Sequence, residues 1–121
     1  MTWQWDQSAG ALFHDGVLVS HGYSGHDLGR NNPAMQAATG VGPIPAGRWT
    51  IVRLYDSANV GPCALELAPA PGTETFGRSA FRIHGDSLAH PGTASHGCII
   101  LARPIREAIW KSGDRELEVT P

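Results

Sequence analysis

A cysteine and a histidine lie close together in the sequence, with neighbours that suit acyl-transfer chemistry. Cys98 follows the tripeptide Ser-His-Gly at residues 95–97, and His84 lies upstream of it. A thiol attacks a carbonyl carbon as the thiolate, so a catalytic cysteine needs a nearby base that takes its proton. We therefore predict that Cys98 is a nucleophile and that His84 is its general base.

Gly97 is expected to let the backbone approach closely just ahead of the thiol, because glycine has no Cβ. The main-chain amides of Gly97 and Cys98 are then expected to point at the oxyanion that develops during acyl transfer. Reactive groups of this kind tend to lie where strands end beside loops.

The strand pattern around the pair explains how a fold can bring them together. Residues 81–84 predict a short strand in which Arg82 and His84 share one face, because side chains alternate along a strand. Residues 98–101 (Cys-Ile-Ile-Leu) predict a buried strand. His84 thus ends one strand and Cys98 begins the next.

Most of the remaining chain has the pattern of short strands joined by tight turns. Alternating Trp3 and Trp5 predict a first strand, and Asp-Gly at residues 15–16 predicts a hairpin turn. Further strands are expected at residues 49–54, 64–67 and 117–119. Residues 20–47, rich in Gly and Pro, are expected to form part of a cleft wall, because long loops in small domains are usually functional.

One helix is predicted near residues 103–112, with Pro104 in its first turn and Gly113 placed to end it. Its predicted apolar stripe consists of Ile105, Ala108 and Ile109. The predicted fold class is mainly β, a twisted and mainly antiparallel β-sandwich with this one short helix. A length of 121 residues favours a single domain over residues 1–121.

Composition excludes several classes of function. A net charge of −2 argues against a nucleic-acid partner. No stretch approaches the roughly 20 apolar residues of a membrane span. Residues 1–6 lack the basic start and apolar stretch of a secretory signal, so we expect synthesis in the cytoplasm without a signal peptide.

The residues around the pair resemble a known family. Residues 83–85 (Ile-His-Gly) and 95–99 (Ser-His-Gly-Cys-Ile) resemble the active-site signature of the L,D-transpeptidase (YkuD-like) catalytic domain. Residues 31–33 (Asn-Asn-Pro) and 42–47 (Gly-Pro-Ile-Pro-Ala-Gly) resemble the Tlde1 or DUF2778-like branch, small type VI secretion effectors that attack peptidoglycan. The resemblance extends from about residue 12 to residue 110.

The resemblance implies a fold of the L,D-transpeptidase type and a role for each matching residue. Cys98 would be acylated and His84 would be its base, oriented by the main-chain carbonyl of Gly85. Gly97 and Cys98 would supply oxyanion amides, while the loop would be shaped by two further residues, Ser95 and His96. Many members carry Arg two residues after the cysteine, where this chain has Ile100.

Two nearby charged residues are therefore candidates for substrate binding. Arg82, on the same strand face as His84, is a candidate replacement for the missing arginine. Asp86 is the second candidate.

The resemblance also implies the reaction and its setting. The thiolate would displace the terminal D-alanine of a peptidoglycan tetrapeptide stem, and the thioester would pass to water or to an amine. This gives L,D-carboxypeptidase or L,D-transpeptidase activity, with no metal and no cofactor. An antibacterial toxin of this kind would be secreted, act in the periplasm of a target bacterium, and have as partners a cognate immunity protein and a secretion-machine component.

Three alternatives stay open at this point. The first is a non-catalytic peptidoglycan-binding module. The second is a zinc-dependent amidase, whose ligands would come from His84, His90, His96 and Cys98. In the third, Cys98 is a buried core residue without a catalytic role. A disulfide from Cys98 to Cys63 would consume the nucleophile, so Cys63 is interpreted as a free core residue.

Overall fold

A computed structural model describes residues 2–121 as a single mixed sheet with one α-helix. The strands are β1 (Trp3–Asp6), β2 (Ala11–His14), β3 (Val17–His21), β4 (Tyr23–Ser24), β5 (Gly47–Ser57), β6 (Gly61–Pro69), β7 (Arg82–His84), β8 (Ile99–Ile100) and β9 (Glu116–Thr120). The helix α1 (Arg103–Lys111) connects β8 to β9, and two short 3₁₀ helices, Asp27–Gly29 and Pro33–Met35, lie between β4 and β5.

The strands follow the order β3-β2-β1-β9-β5-β6-β7-β8-β4 across the sheet. Neighbouring strands are antiparallel except for two pairs, β1 with β9 and β7 with β8, which are parallel. The predicted mainly β class with one helix is confirmed. The parallel pairs were not predicted, because each joins strands that are separated by other elements or by a long loop.

The core explains why the segment ahead of β5 has a fixed position. The indole of Trp5 is fully buried, and its N–H donates to the side-chain oxygen of Gln7 at 2.7 Å. The amide nitrogen of Gln7 donates in turn to the carbonyl of Ile44 at 2.6 Å. Buried polar groups are stable when they are hydrogen-bonded in this way. The chain of bonds attaches residues 42–47 to β1.

Helix α1 begins with Pro104 in its first turn, as predicted. The predicted apolar stripe is wrong at Ala108, which is exposed. Arg106 takes the buried position together with Ile109. The reason is a specific contact: one Nη1–H of Arg106 donates to the carbonyl of Leu101 at 3.0 Å, and the guanidinium packs against the backbone that leaves β7.

Within residues 2–121, no helix combines the length and the apolar character that a bilayer crossing requires.

The position of β7 depends on the core, which gives the first prediction. Leu65 on β6 is fully buried and pairs with Ile83 on β7. Leu65→Ala is expected to lower the free energy of unfolding by about 2–5 kcal/mol, because it leaves a cavity between the two strands. Urea denaturation measures this change. Leu28→Ala, at a leucine that is 81% exposed, is the control and should change it by less than about 0.5 kcal/mol. Equal effects would contradict the role given to Leu65.

Candidate active site

A cavity of about 350 Å³ lies beside β7 and the turn that leads into β8. His84 and Cys98 both line it, so the structure brings the predicted base and nucleophile to one site. Thr39 and Gly40 form another part of its wall. The prediction that residues 20–47 contribute to a cleft wall is therefore confirmed.

The parallel pairing of β7 with β8 determines which side chains face this cavity. Ile83 is opposite Ile99 and His84 is opposite Ile100. Paired residues point to the same face of a sheet and neighbours along a strand point to opposite faces. Ile83 and Ile99 are buried in the core, so His84 lies on the other face of β7, and Cys98, which immediately precedes β8, lines the same cavity as His84.

His84 is held in the protonation state that suits a base. Its Nδ1 lies 2.8 Å from the carbonyl oxygen of Gly85. A carbonyl only accepts, so Nδ1 carries the proton and Nε2 has a free lone pair. This is the contact that the family resemblance implied for Gly85. Burial lowers the pKa of His84 and outweighs the Gly85 bond, and the positive charges of Arg106 and Arg82 lower it further.

The thiol of Cys98 is 8% exposed and donates to the carbonyl of Ala80 at an Sγ–O distance of 3.7 Å. Burial raises the pKa of this thiol. The main-chain N–H of Arg82 opposes the rise, as do the positive charges of Arg82 and Arg78. These environments favour the neutral form of both groups, a thiol at Cys98 and an imidazole at His84.

Ser95 determines the shape of the turn that presents the thiol. Its hydroxyl is fully buried and donates to the carbonyl of Cys98. The same oxygen accepts from the amides of Gly25 at 2.8 Å and Gly97 at 3.2 Å. The buried hydroxyl of Ser24 adds a bond to the carbonyl of Gly97 at 3.1 Å. Two serines thus fix the turn, and Ser95 has the loop-shaping place that the resemblance implied.

This geometry corrects one prediction about Gly97. Its N–H already donates to Ser95, so it does not point at a developing oxyanion in this structure. The amide of Cys98 stays the candidate oxyanion donor. Gly97 has a different importance: its φ of +136° is unfavourable for other residues, and a Cβ there would lie 2.4 Å from Nη2 of Arg78.

His96 is exposed and lines the cavity. Its Nδ1 donates to the carbonyl of Gly40 at 3.0 Å, and its ring packs edge-on against His26 with the centroids 5.0 Å apart. His26 donates from Nδ1 to the carbonyl of Ser95 at 2.9 Å. The two histidines attach the turn to the opposite wall, which fits the loop-shaping role predicted for His96.

The structure gives Asp86 a different role from the predicted one. It is not among the residues lining the cavity, and Tyr23 donates to its carboxylate at 2.6 Å. Although burial opposes the change, hydrogen bonds from Tyr23, Gly92 and Ser87 lower the pKa of Asp86. Burial and the bond to Asp86 raise the pKa of Tyr23 to about 12. Asp86 therefore braces the loop between β7 and β8. Arg82, by contrast, does line the cavity.

The amino-acid sequence matches the model of a known protein family over most of its length. The model of the Tlde1 domain matches residues 19–119. The chain belongs to the Tlde1 domain family. A comparison of the sequence with curated proteins found no significant match.

Solved structures show that the Tlde1 domain shares the fold of L,D-transpeptidases. An L,D-transpeptidase from Stackebrandtia nassauensis matches with a TM-score of 0.58 and 16% identity, over 99% of this chain and 55% of its own. The catalytic domain of the Enterococcus faecium L,D-transpeptidase has a TM-score of 0.52 and 16% identity, over 98% and 95%. The Mycobacterium smegmatis enzyme has a TM-score of 0.51 and 15% identity, over 99% and 58%. The Tlde1 domain thus spans about half the length of the first of these proteins.

Two buried arginines of the Tlde1 domain were missed by the sequence reasoning. Arg78 lines the cavity, and Arg106 supports the backbone at Gly85, where a Cβ would lie 2.7 Å from its Nη1. Arg78 lies in a Gly- and Pro-rich loop, and Arg106 lies among helix residues that read as solvent-facing. Neither has a spacing signal that distinguishes it from a surface arginine.

The zinc alternative finds no support in the geometry. Among residues 2–121, one group of His, Cys, Asp and Glu has its ligand atoms close enough to share an ion, namely His14, Asp15 and Asp114. It contains none of the four zinc ligands considered from the sequence. Cys98 and Cys63 are both free and buried.

The bonds made by Ser95 give the second prediction. Ser95→Ala removes the acceptor of two buried amides, so the free energy of unfolding should fall by about 1–3 kcal/mol. Ser79→Ala, at an exposed serine that lines the same cavity, should change it by less than about 0.5 kcal/mol. Urea denaturation of both variants checks this. A Ser95 variant as stable as the Ser79 variant would contradict the bracing role.

Proposed function

We propose that this Tlde1 domain catalyses cysteine-dependent acyl transfer on peptidoglycan stem peptides, with Cys98 as nucleophile and His84 as general base. One observation carries the proposal. His84, with Nδ1 bound to the Gly85 carbonyl, ends β7, Cys98 immediately precedes the parallel strand β8, and both residues line one cavity. Family membership and the shared L,D-transpeptidase fold support the choice of substrate.

In the first step, Nε2 of His84 accepts the thiol proton and the sulfur of Cys98 attacks the carbonyl carbon before the terminal D-alanine. The Cys98 amide donates to the oxyanion of the tetrahedral intermediate. The intermediate collapses when the C–N bond breaks, and the imidazolium of His84 returns its proton to the departing amine. Free D-alanine and a Cys98 thioester result.

In the second step, water or an amine attacks the thioester while His84 takes a proton from it. The C–S bond breaks, and His84 returns the proton to the sulfur of Cys98. Water yields a shortened stem, which is L,D-carboxypeptidase activity. An amine of a D-amino acid or of a second stem yields exchange or a cross-link, which is L,D-transpeptidase activity.

The charge of the cavity supports a substrate with a free carboxylate. Arg78 and Arg82 line it, and among the described residues that do so none carries a carboxylate. The terminal D-alanine of a tetrapeptide stem has such a group. Arg82 is the better candidate to meet it, because it is only partly buried, whereas the donor groups of Arg78 are occupied by carbonyls.

The family match also supports a setting. We propose that the domain is an antibacterial effector delivered by a secretion machine to the periplasm of a target bacterium. A producing cell would then need an immunity protein that blocks the enzyme.

The third prediction concerns muropeptides. Wild-type protein incubated with purified tetrapeptide muropeptides is expected to remove one alanine, or to exchange it for an added D-amino acid. Cys98→Ala is expected to lose at least about a thousandfold in rate, because no other group forms the thioester. Mass spectrometry of the products measures both.

Cys63→Ala is the matched control, since Cys63 is equally free and buried but lies on β6 away from the cavity. It should retain activity. If wild type and Cys98→Ala both leave every muropeptide unchanged under reducing conditions while wild type still binds them, the domain is a binding module and the catalytic proposal is wrong.

The fourth prediction concerns pH. His84 accepts a proton only when it is neutral, so activity should fall as the pH drops through its pKa. Burial places that pKa below the ordinary imidazole value of about 6.5. The acid limb of kcat/KM for D-alanine release should therefore have its midpoint below about 6.5. Tryptophan fluorescence across the same range controls for unfolding. A midpoint above 6.5 would contradict the buried neutral base.

A further inference from the structure

Arg78 is a buried cation whose hydrogen-bond partners are all main-chain carbonyls. Its side chain is 7% exposed. Its Nη1 donates to the carbonyls of Gln36 and Pro43, the latter at 2.7 Å. Nη2 donates to the carbonyls of Gly42 at 2.9 Å and His96 at 3.3 Å. Among the described residues, no carboxylate forms an ion pair with it.

This arrangement is unusual, because buried charges in proteins are normally paired with an opposite charge. Carbonyl oxygens accept from Nη1 and Nη2 of Arg78 but leave its net charge in place. Burial lowers the pKa of Arg78, and a negative charge on Cys98 opposes that shift. Cys98 lines the same cavity as Arg78, and its sulfur, as a thiolate, is able to compensate this charge.

The backbone around Cys98 is built to admit the guanidinium. A Cβ at residue 97 would lie 2.4 Å from Nη2 of Arg78, so only glycine leaves room for it immediately before the nucleophile. Phe81 closes the other side, with the guanidinium carbon of Arg78 5.1 Å from its ring centroid. Arg78 and Cys98 line the same cavity.

We propose that Arg78 is the fixed counter-charge of the Cys98 thiolate. It is a positioning residue that acts through Cys98, and the role rests on the proposed function. When His84 takes the proton, negative charge forms on sulfur beside a guanidinium that is already in place, so no side chain has to move to stabilise it. The hydrogen bond from Nη2 of Arg78 to the His96 carbonyl also holds the turn that carries the thiol.

Other charged groups face the thiol, and they differ from Arg78 in exposure. Arg82 on β7 is only partly buried, so salt and water screen its charge. His84 and His96 also line the cavity, whereas the nearest acidic residue of the loop, Asp86, binds Tyr23 instead. A buried charge is screened much less. Salt dependence therefore separates the contribution of Arg78 from that of Arg82.

The fifth prediction tests the charge through the reactivity of the thiol. The alkylation rate of Cys98 by iodoacetamide is followed against pH, with peptide mass spectrometry reading each cysteine separately. Arg78→Met is expected to raise the midpoint of the curve of alkylation rate against pH by about one pH unit. The alkylation rate near pH 7 should then fall about tenfold. Arg78→Lys keeps the charge and should stay within about 0.3 units. The buried Cys63 reports on folding in the same samples.

Equal shifts in Arg78→Met and Arg78→Lys, or no shift in either, would overturn the proposal and leave Arg78 with a structural role alone. If Arg78→Met makes Cys63 reactive, the variant has unfolded and a second measurement decides. In Arg82→Gln, the midpoint for Cys98 should be the same at about 0.05 M and about 1 M salt, because the remaining charge is buried. A midpoint that rises with salt would overturn the proposal.

The assay uses no peptidoglycan, so it separates this proposal from the proposed function. If the midpoint shifts in Arg78→Met but the wild-type protein leaves muropeptides unchanged, the proposed substrate is wrong and the proposal that Arg78 is the counter-charge stands. If the wild-type protein acts on muropeptides but substitution of Arg78 leaves the midpoint unchanged, the counter-charge proposal is wrong and the proposed catalytic function stands.

Discussion

The parallel pairing of β7 with β8 is the constraint on which the reactive pair depends. These strands are only three and two residues long, yet their register places Ile83 and Ile99 in the core and turns Arg82 and His84 of β7 toward the cavity. A shift of one residue would turn His84 toward the core and an isoleucine toward the cavity. The antiparallel bond of β7 to β6 and of β8 to β4 holds this register from both sides.

Polar contacts supply the second level of control, and they come from segments far away in sequence. Ser24 and Gly25 bind the turn from β4, while Arg78 joins the same turn to residues 36–43. Arg106 supports His84, the other member of the pair, by covering the backbone at Gly85. Each contact acts on a main-chain group and not on the thiol or imidazole directly. The reactive side chains are thus positioned through their backbone.

The sequence was sufficient to predict most of the strands, the helix, and the pair of Cys98 and His84, because these follow from local alternation, turn residues and a compact motif. It missed β4, which lies in the segment expected to be a loop. It did not reveal Arg78, whose importance comes from burial against Gly97. It also misjudged Ala108, since helical spacing alone does not show that Arg106 has acceptors inside the protein. Asp86 was assigned to substrate for a similar reason: its partner, Tyr23, lies 63 residues away.

The bond from Gln7 to the Ile44 carbonyl has a consequence for how substrate reaches the cavity. One wall of the cleft is anchored through this amide to the indole of Trp5, which lies in the fully buried core. A segment anchored to the core in this way is held more firmly than a loop that frays locally. Access to Cys98 is therefore through a preorganised entrance, so a ligand that enters it bears most of the conformational adjustment.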